Sequence, residues 1–276
     1  MNKILTGAVA AAVSVAFVSE AAALEWSVSV WGKRRAFTEH VEKLAELVSE
    51  KTNGDFTMNV SYGGLSKNKE NLDEISIGAF EMSQYNIVGT GEPRDTLAKM
   101  DGMRVRATGG IGKAFAAVGA VPTSVTATEA YNAMESGVVD TVAFAQHAYL
   151  SFGTINRADW WTANLNPGTV NCPIVVNIDA YEALSDANRA ALDNSVDESI
   201  AHYLANYGGL LAKWESILTE KGVTKVEISD RELAAFRAAA ADPIREAWIA
   251  DMTAQGLPAQ ELYDLVMTTL ASTWGN

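Results

Sequence analysis

The sequence predicts an α/β protein built largely from parallel strands, on three observations. Short runs of alternating apolar residues, such as FTMNVSY and GVVDTVAF, take turns with segments whose apolar residues recur at helical spacing. Apolar residues make up 48% of the 276 positions, enough for a full core. Cys172 is the only cysteine, so no intrachain disulfide can replace that core.

Ahead of the first element, MNK is a short basic start, ILTGAVAAAVSVAFV an apolar run, and SEAAA ends in small residues. That order is the layout of a secretory signal over residues 1–23, with cleavage expected after Ala23. The run is short for a spanning helix, and nothing basic follows it at once. Cleavage removes Lys3 and Glu20, one charge of each sign, so the net charge stays at −13. Export without disulfides points to a bacterial periplasm. The acidic balance argues against nucleic acid, which needs clustered Lys and Arg.

WSVSVW then reads as a strand. RRAFTEHVEKLAELVSEKTNG places Phe37, Val41, Leu44 and Val48 on one helical face and stops at Gly54. FTMNVSY is a strand, NLDEISIGAF is expected as a short helix, and FEMSQYNIV as another extended run. GTGEPRDT is a loop and the best candidate for a domain boundary. DGMRVRA is a strand, GIGKAFAAVGA a helix, and VPTSV a strand. ATEAYNAMES is a helix introduced by Thr126 and Glu129 as a capping box. GVVDTVAF and TVNCPIVVNI are strands. Ser185 caps a very long helix with Leu192, Val196, Ile200, Leu204 and Tyr207 on its face. Gly208 and Gly209 are expected to interrupt that helix, which resumes through Leu211, Trp214 and Leu218 to Gly222. VTKVEIS is a strand, Ser229 and Glu232 repeat the capping box, and two helices close the chain, the second opening near Pro258.

Catalytic and metal motifs are not met. At ATGGIGKAF a phosphate loop would need Gly where Ala107 stands and Ser or Thr at Ala114; the dinucleotide pattern would need Gly at Phe115. Of the three histidines, His40 and His202 fall within helices, where solvated or capping roles are commoner than metal ligation, and His147 lacks a spaced partner. No Gly-x-Ser-x-Gly elbow occurs. A Ser-His-Asp set can meet only in space, so an exported α/β hydrolase stays open as the rival class. No metal or cofactor is expected.

Arg104 and Arg106 alternate with Met103 and Val105, so both face one side of a strand. Arginines there can simply keep an edge strand soluble. A guanidinium can also hold a carboxylate through two parallel hydrogen bonds, and Gly109, Gly110 and Gly112 lead directly into a helix N-terminus, which favours anions.

The stretch DGMRVRATGGIGKAFAAVGAVPTSVTATEAYNAMESGVVDTV resembles the central signature of the DctP-type solute-binding proteins of TRAP transporters. The matching pieces are the glycine-led arginine strand Gly102 to Arg106, the turn Gly119 to Pro122, Glu129 to Ala133, and Gly137 to Asp140. FTEHVEKLAELVSEKTNGDFTMNV, KENLDEISIGAFEM and VVNIDAYEALSDANRAAL extend the resemblance over nearly the whole mature chain. It implies two α/β lobes around a cleft, crossed by one long helix, and a protein that carries small organic carboxylates to a membrane permease without chemistry. It implies Arg106 as the carboxylate clamp, with Arg104 at the surface. Trp31, Phe144, Gln146, His147 and Asn171 are the further substrate-binding candidates, Cys172 beginning the same strand as Asn171. Trp160 and Trp161 are expected in the core or between lobes, although an aromatic cage for a quaternary cation would use such residues. The implied division is residues 24–93 for a partial first lobe, 94–184 mainly for the second lobe with crossing strands, and 185–276 for the long helix, a strand and the closing helices. Relatives carry several tens more residues between the FEM strand and the arginine strand. The chain is therefore either a shortened natural variant or an internally deleted, non-binding paralogue, and its first lobe is expected to be incomplete.

Overall fold

The computed structural model describes residues 23–30, 32–63, 74–81, 85–169 and 171–274. The expected signal over residues 1–23 therefore lies, except for Ala23, outside the described residues, as does Trp31.

In the first lobe, strand β1 (Leu24–Val30) leads through a 3₁₀ turn to helix α1 (Glu39–Lys51) and then to β2 (Phe56–Tyr62), which pairs with β1 in parallel. Gly54, at φ +82°, ends that helix region with a conformation L side chains avoid. Strand β3 (Glu74–Glu81) covers most of the stretch expected as a short helix. Ile75, Ile77 and Ala79 alternate there, and the backbone pairs antiparallel with a distant strand, so long-range pairing overrides a weak local helix preference.

The second lobe holds a six-stranded sheet, in the order β10–β8–β4–β7–β5–β6. Its members are β4 (Tyr85–Gly89), β5 (Arg104–Arg106), β6 (Val121–Thr123), β7 (Thr141–Ala145), β8 (Trp160–Thr162) and β10 (Thr224–Val226). The sheet is mixed. β4 alone runs antiparallel, to both β7 and β8, while the other five strands share one direction, as the expectation of largely parallel strands had it. Helices α2 (Leu97–Met100), α3 (Gly109–Ala117), α4 (Ala130–Glu135) and α5 (Gln146–Ser151) connect these strands. Strand β9 (Asn171–Asn177) returns to pair with β3 and is followed by α6 (Ile178–Glu182). β5 lies between β7 and β6, so Arg104 and Arg106 are not on an edge strand.

The long helix α7 (Asp186–Glu220) runs 35 residues, about 52 Å, and the Ser185 side chain accepts from the Asn188 amide at 3.2 Å to cap it. It does not break at Gly208 and Gly209. A Cβ at either glycine would meet nothing within 4 Å, and residues buried on both sides anchor the helix through the weak point. Its apolar stripe serves three cores in succession. Leu192 and Val196 pack with Leu44, Val48 and Phe56 of the first lobe. Tyr203 and Tyr207 join Ile87, Val105, Phe115 and Trp160 on one side of the large sheet. Trp214 and Leu218 join Val142, Phe144, Tyr149 and Trp161 on the other. Leu192, Tyr203 and Trp214 stand eleven residues apart, as do Val196, Tyr207 and Leu218, a spacing that keeps one face of a nearly straight helix inward. Leu204, expected on that face, is 60% exposed, and Tyr203 takes its place at 1%.

Helix α8 (Asp230–Phe236) passes through a π turn, Arg237–Ala241, into α9 (Asp242–Ala254), and α10 (Ala259–Trp274) closes the chain. Among the described residues no helix is long and apolar enough to cross a membrane.

Candidate ligand-binding site

The two arginines of β5 meet different fates although strand parity keeps them on one side. Arg104 is exposed and forms an ion pair with Asp140. Its Nε donates to Asp140 Oδ2 at 3.1 Å, and its backbone amide donates to the same oxygen at 3.0 Å. The guanidinium hydrogen bond holds the Asp140 carboxyl below its ordinary range. All of Arg104 is thereby used in fixing the entry to β7.

Arg106 is buried, with 7% of its surface exposed. Its Nε donates to the Val125 carbonyl at 3.0 Å and its Nη1, at the limit of a hydrogen bond, to the Ala143 carbonyl at 3.5 Å. Its Cζ lies 4.5 Å from the centroid of the Phe144 ring, a cation–π contact. Burial lowers its pKa, opposed by the nearby Tyr85 and Tyr149, but a guanidinium remains charged. Among the described residues no carboxylate pairs with it, and Nη2 makes no hydrogen bond. Nε and Nη1 are each engaged by a carbonyl, and Nη2 is left for an acceptor.

Phe144 is itself held from behind. Its amide donates to the Tyr149 hydroxyl at 2.9 Å, and that hydroxyl donates between the Asn86 carbonyl at 2.5 Å and the Val142 carbonyl at 3.1 Å. Phe144 packs against Phe152 at 5.6 Å between centroids. Phe152 in turn lies under the guanidinium of Arg35, whose Cζ is 5.5 Å from the ring centroid.

Gln146 and His147, the first residues of α5, are both buried. The His147 Nδ1 lies 3.1 Å from the Tyr207 hydroxyl, with the rings edge to face at 5.4 Å. Tyr207 contacts Tyr203, and Tyr203 meets His40 edge to face at 5.9 Å. His40, expected as a solvated or capping residue, is instead 2% exposed, because α7 covers the face of α1 that carries it. This chain of rings joins α1 of the first lobe to α5 of the second across the long helix.

Burial first, and the Arg35 charge second, push the His147 pKa down to about 3. An imidazole held neutral in the fold but protonated at about 6.5 in the unfolded chain stabilises fully above pH 6.5. That contribution is lost as pH falls from about 6.5 towards 3. Urea midpoints should therefore drop between pH 7 and 5, by about 1–2 kcal/mol in stability, and His147→Gln should flatten that slope. An unchanged slope in the variant would remove His147 as its source.

Of the residues expected from sequence, the structure brings Arg106 and Phe144 into direct contact, and sets His147 close enough to Arg35 to feel its charge. Trp31 and the side chains of Asn171 and Cys172 lie outside the described residues. Trp160 and Trp161 are fully buried, one in each core beside the large sheet. Sequence reasoning missed Arg35 and Phe152. Arg35 sits in the polar lead-in to α1, and only its glycine-bearing approach, Gly32, marks the turn as unusual. Among the described residues no group of three or more His, Cys, Asp or Glu gathers as a metal site.

Comparison with known proteins bears on the family and the fold. The chain is 25% identical over 205 residues to the outer membrane transporter protein TsaT of Comamonas testosteroni, a match covering 73% of this chain and 60% of that protein. Its fold matches a TRAP periplasmic solute-binding protein of Desulfovibrio salexigens with bound orotic acid, at a TM-score of 0.77 and 16% identity, over 87% of this chain and 97% of that one. It also matches a TRAP periplasmic solute-binding protein of Roseobacter denitrificans with bound β-D-glucuronate, at a TM-score of 0.75 and 20% identity, over 86% and 98% of the two chains. Both solved neighbours are solute-binding proteins of transporters, not enzymes. Residues 80–251 match the DctP family, and the chain belongs to it: a bacterial extracellular solute-binding protein of family 7.

Proposed function

We propose that this protein captures a small organic carboxylate in the cleft between its two lobes, holds it through Arg106, and delivers it to the membrane permease of a TRAP transporter. Export to the periplasm with removal of residues 1–23 belongs to the same reading, as does a division into residues 24–93, 94–184 and 185–276 in which the first segment contributes β4 to the sheet of the second lobe. The observation that carries it is the Arg106 guanidinium, buried and still charged, bonded through Nε to the Val125 carbonyl and more weakly through Nη1 to the Ala143 carbonyl, and without a carboxylate partner among the described residues. A buried charge without a counter-ion is costly, and an anionic ligand offsets that cost. In a chain of net charge −13 the attraction has to be local, and Arg106 supplies it at the aromatic wall of Phe144. Orotic acid and β-D-glucuronate, bound by the two solved neighbours, are both carboxylates.

The test is a thermal-shift screen of residues 24–276 against small organic acids, including 2-oxo acids, aromatic acids, uronates and dicarboxylates. An acid present at about 100 times its dissociation constant should stabilise the fold by roughly 2.7 kcal/mol, a shift of about 5–10 °C at this size. A cooperative melt that no acid moves would count against the reading and favour a non-binding paralogue.

A further inference from the structure

We propose that helix α10 is a self-association surface, through which two copies of this protein pair antiparallel about a two-fold axis near Val266. The closing helical hairpin is thinly covered by its own chain. None of the described residues of α9 is buried, and among those of α10 only Ala259 is. One side of α10 is used within the molecule. Tyr263 lies half-buried beside α9, with the Arg245 guanidinium carbon 5.6 Å from its ring centroid.

The other side is open. Leu262, Leu265 and Val266, at helical spacing, are 45%, 63% and 54% exposed, and Met267 beside them is 46% exposed. A helix in a folded protein takes most of its stability from burying an apolar face. With Trp248 and Leu257, also exposed, these side chains present roughly 500 Å² of apolar surface, close to the largest patch an ordinary monomer shows. That is more than half of the roughly 800 Å² per partner that a stable interface buries.

Charge selects the cover. A lipid surface would call for Lys or Arg flanking the apolar stripe, and α10 has neither. From Leu265 to Trp274 the helix carries no charged residue, in a chain of net charge −13. Loss of charge around an apolar centre is the composition of an interface core. An uncharged apolar helix face is matched by the same face of a second copy, and a two-fold axis closes that contact.

The direction of pairing follows from the two carboxylates of α10, Glu261 and Asp264, both in its first half. Antiparallel pairing about Val266 sets Asp264 opposite Thr268 and Glu261 opposite Ala271, so like charges do not meet. Parallel pairing would set each carboxylate against its own copy. The antiparallel arrangement also opposes the two helix dipoles.

The experiment is sedimentation velocity of residues 24–276 over concentrations up to about 200 μM, with Leu265→Glu and Leu204→Glu in parallel. Leu204 is the control, an exposed leucine of α7. The wild type should sediment as a two-chain species whose share grows with concentration. Leu265→Glu should raise the dissociation constant about 30-fold or more, and Leu204→Glu should leave it within about threefold. Circular dichroism melts confirm that each variant is folded. Oxidative cross-linking in a Cys172→Ser background reads the geometry independently. Val266→Cys should give a disulfide-linked dimer. Leu262→Cys should not, because antiparallel pairing holds the two 262 positions about 12 Å apart along the axis, beyond the reach of a disulfide.

A wild type that stays monomeric throughout the range overturns the proposal. So does a dimer that Leu265→Glu leaves intact, one that Leu204→Glu breaks equally, or association that continues past two chains. Equal cross-linking at 262 and 266 overturns the antiparallel arrangement. A monomer that floats with phosphatidylcholine vesicles, and no longer does so as Leu265→Glu, replaces the second copy with a lipid surface.

Discussion

Arg106→Met is expected to weaken acid binding severely and to leave the ligand-free fold about as stable as the wild type. The two halves of this result have one cause. In the ligand-free protein Arg106 is a charge held away from water by Phe144 and the strand backbone, with carbonyl contacts at 3.0 and 3.5 Å and no carboxylate among the described residues to balance it. Methionine fills similar volume without the desolvation cost, while the Val125 carbonyl loses a donor worth about 1 kcal/mol, so the net change should stay within about 1 kcal/mol. With ligand the balance reverses. Truncating one partner of a buried, hydrogen-bonded charge pair costs about 2–5 kcal/mol, or about 30- to 5,000-fold in affinity. Arg104→Ala is the matched control, because that side chain is exposed and already committed to Asp140. Titration of whichever acid shifts the wild-type melt, together with melts of the ligand-free variants, measures both halves. Wild-type affinity in Arg106→Met would eliminate the clamp, and collapse of the ligand-free fold would make Arg106 a structural residue.

The largest effect on stability is expected at Gly89. This residue pairs with Thr141 on one side and Trp160 on the other, in the middle of the six-stranded sheet. A Cβ on it would lie 2.3 Å from Trp160 Cζ2, 2.6 Å from Cε2 and 2.8 Å from Thr141 Cγ2. Trp160 is fully buried and its indole nitrogen donates to the Thr90 carbonyl at 3.4 Å, so the ring has nowhere to retreat. Overpacking of a closed core costs about 1–3 kcal/mol and occasionally more, and a clash this short with a rigid ring belongs at the upper end. Gly89→Ala is therefore expected to lose about 3 kcal/mol or more in urea unfolding. Trp160→Ala should lose about 3–5 kcal/mol through the cavity it leaves. Combined in one chain, the alanine at 89 partly fills that cavity, and the double variant should be more stable than the sum of the singles implies. A Gly89→Ala variant within about 0.5 kcal/mol of wild type would show that the sheet opens at this point.

The residues of local structure were legible without coordinates. Ser185, Thr126 with Glu129, and Ser229 are caps whose side chains bond within a few residues of themselves, so their roles depend on nothing distant. The arginine strand, the glycine turns and the alternation of FTMNVSY are of the same kind. Expectations failed where a remote partner decided the outcome. β3 is a strand because β9 pairs with it from about a hundred residues away. α7 stays continuous through Gly208 and Gly209 because three separate cores grip its inner face, and the same packing turns Tyr203 inward in place of Leu204.

The candidate site divides along the same line. The sequence by itself determined that an arginine strand leads into a glycine turn, and its resemblance to the family raised the expectation that Arg106 is the clamp and that Phe144 faces the ligand. The tertiary structure decided which arginine is buried. Arg104 and Arg106 share a strand face, and only the arrival of Asp140 beside one and Phe144 beside the other separates a surface ion pair from a desolvated cation. It also decided that Arg35, an ordinary charge ahead of a helix when read along the chain, stands over Phe152 from the opposite lobe. Burial and pairing are set by groups far apart in sequence, and a charge takes its meaning from those neighbours.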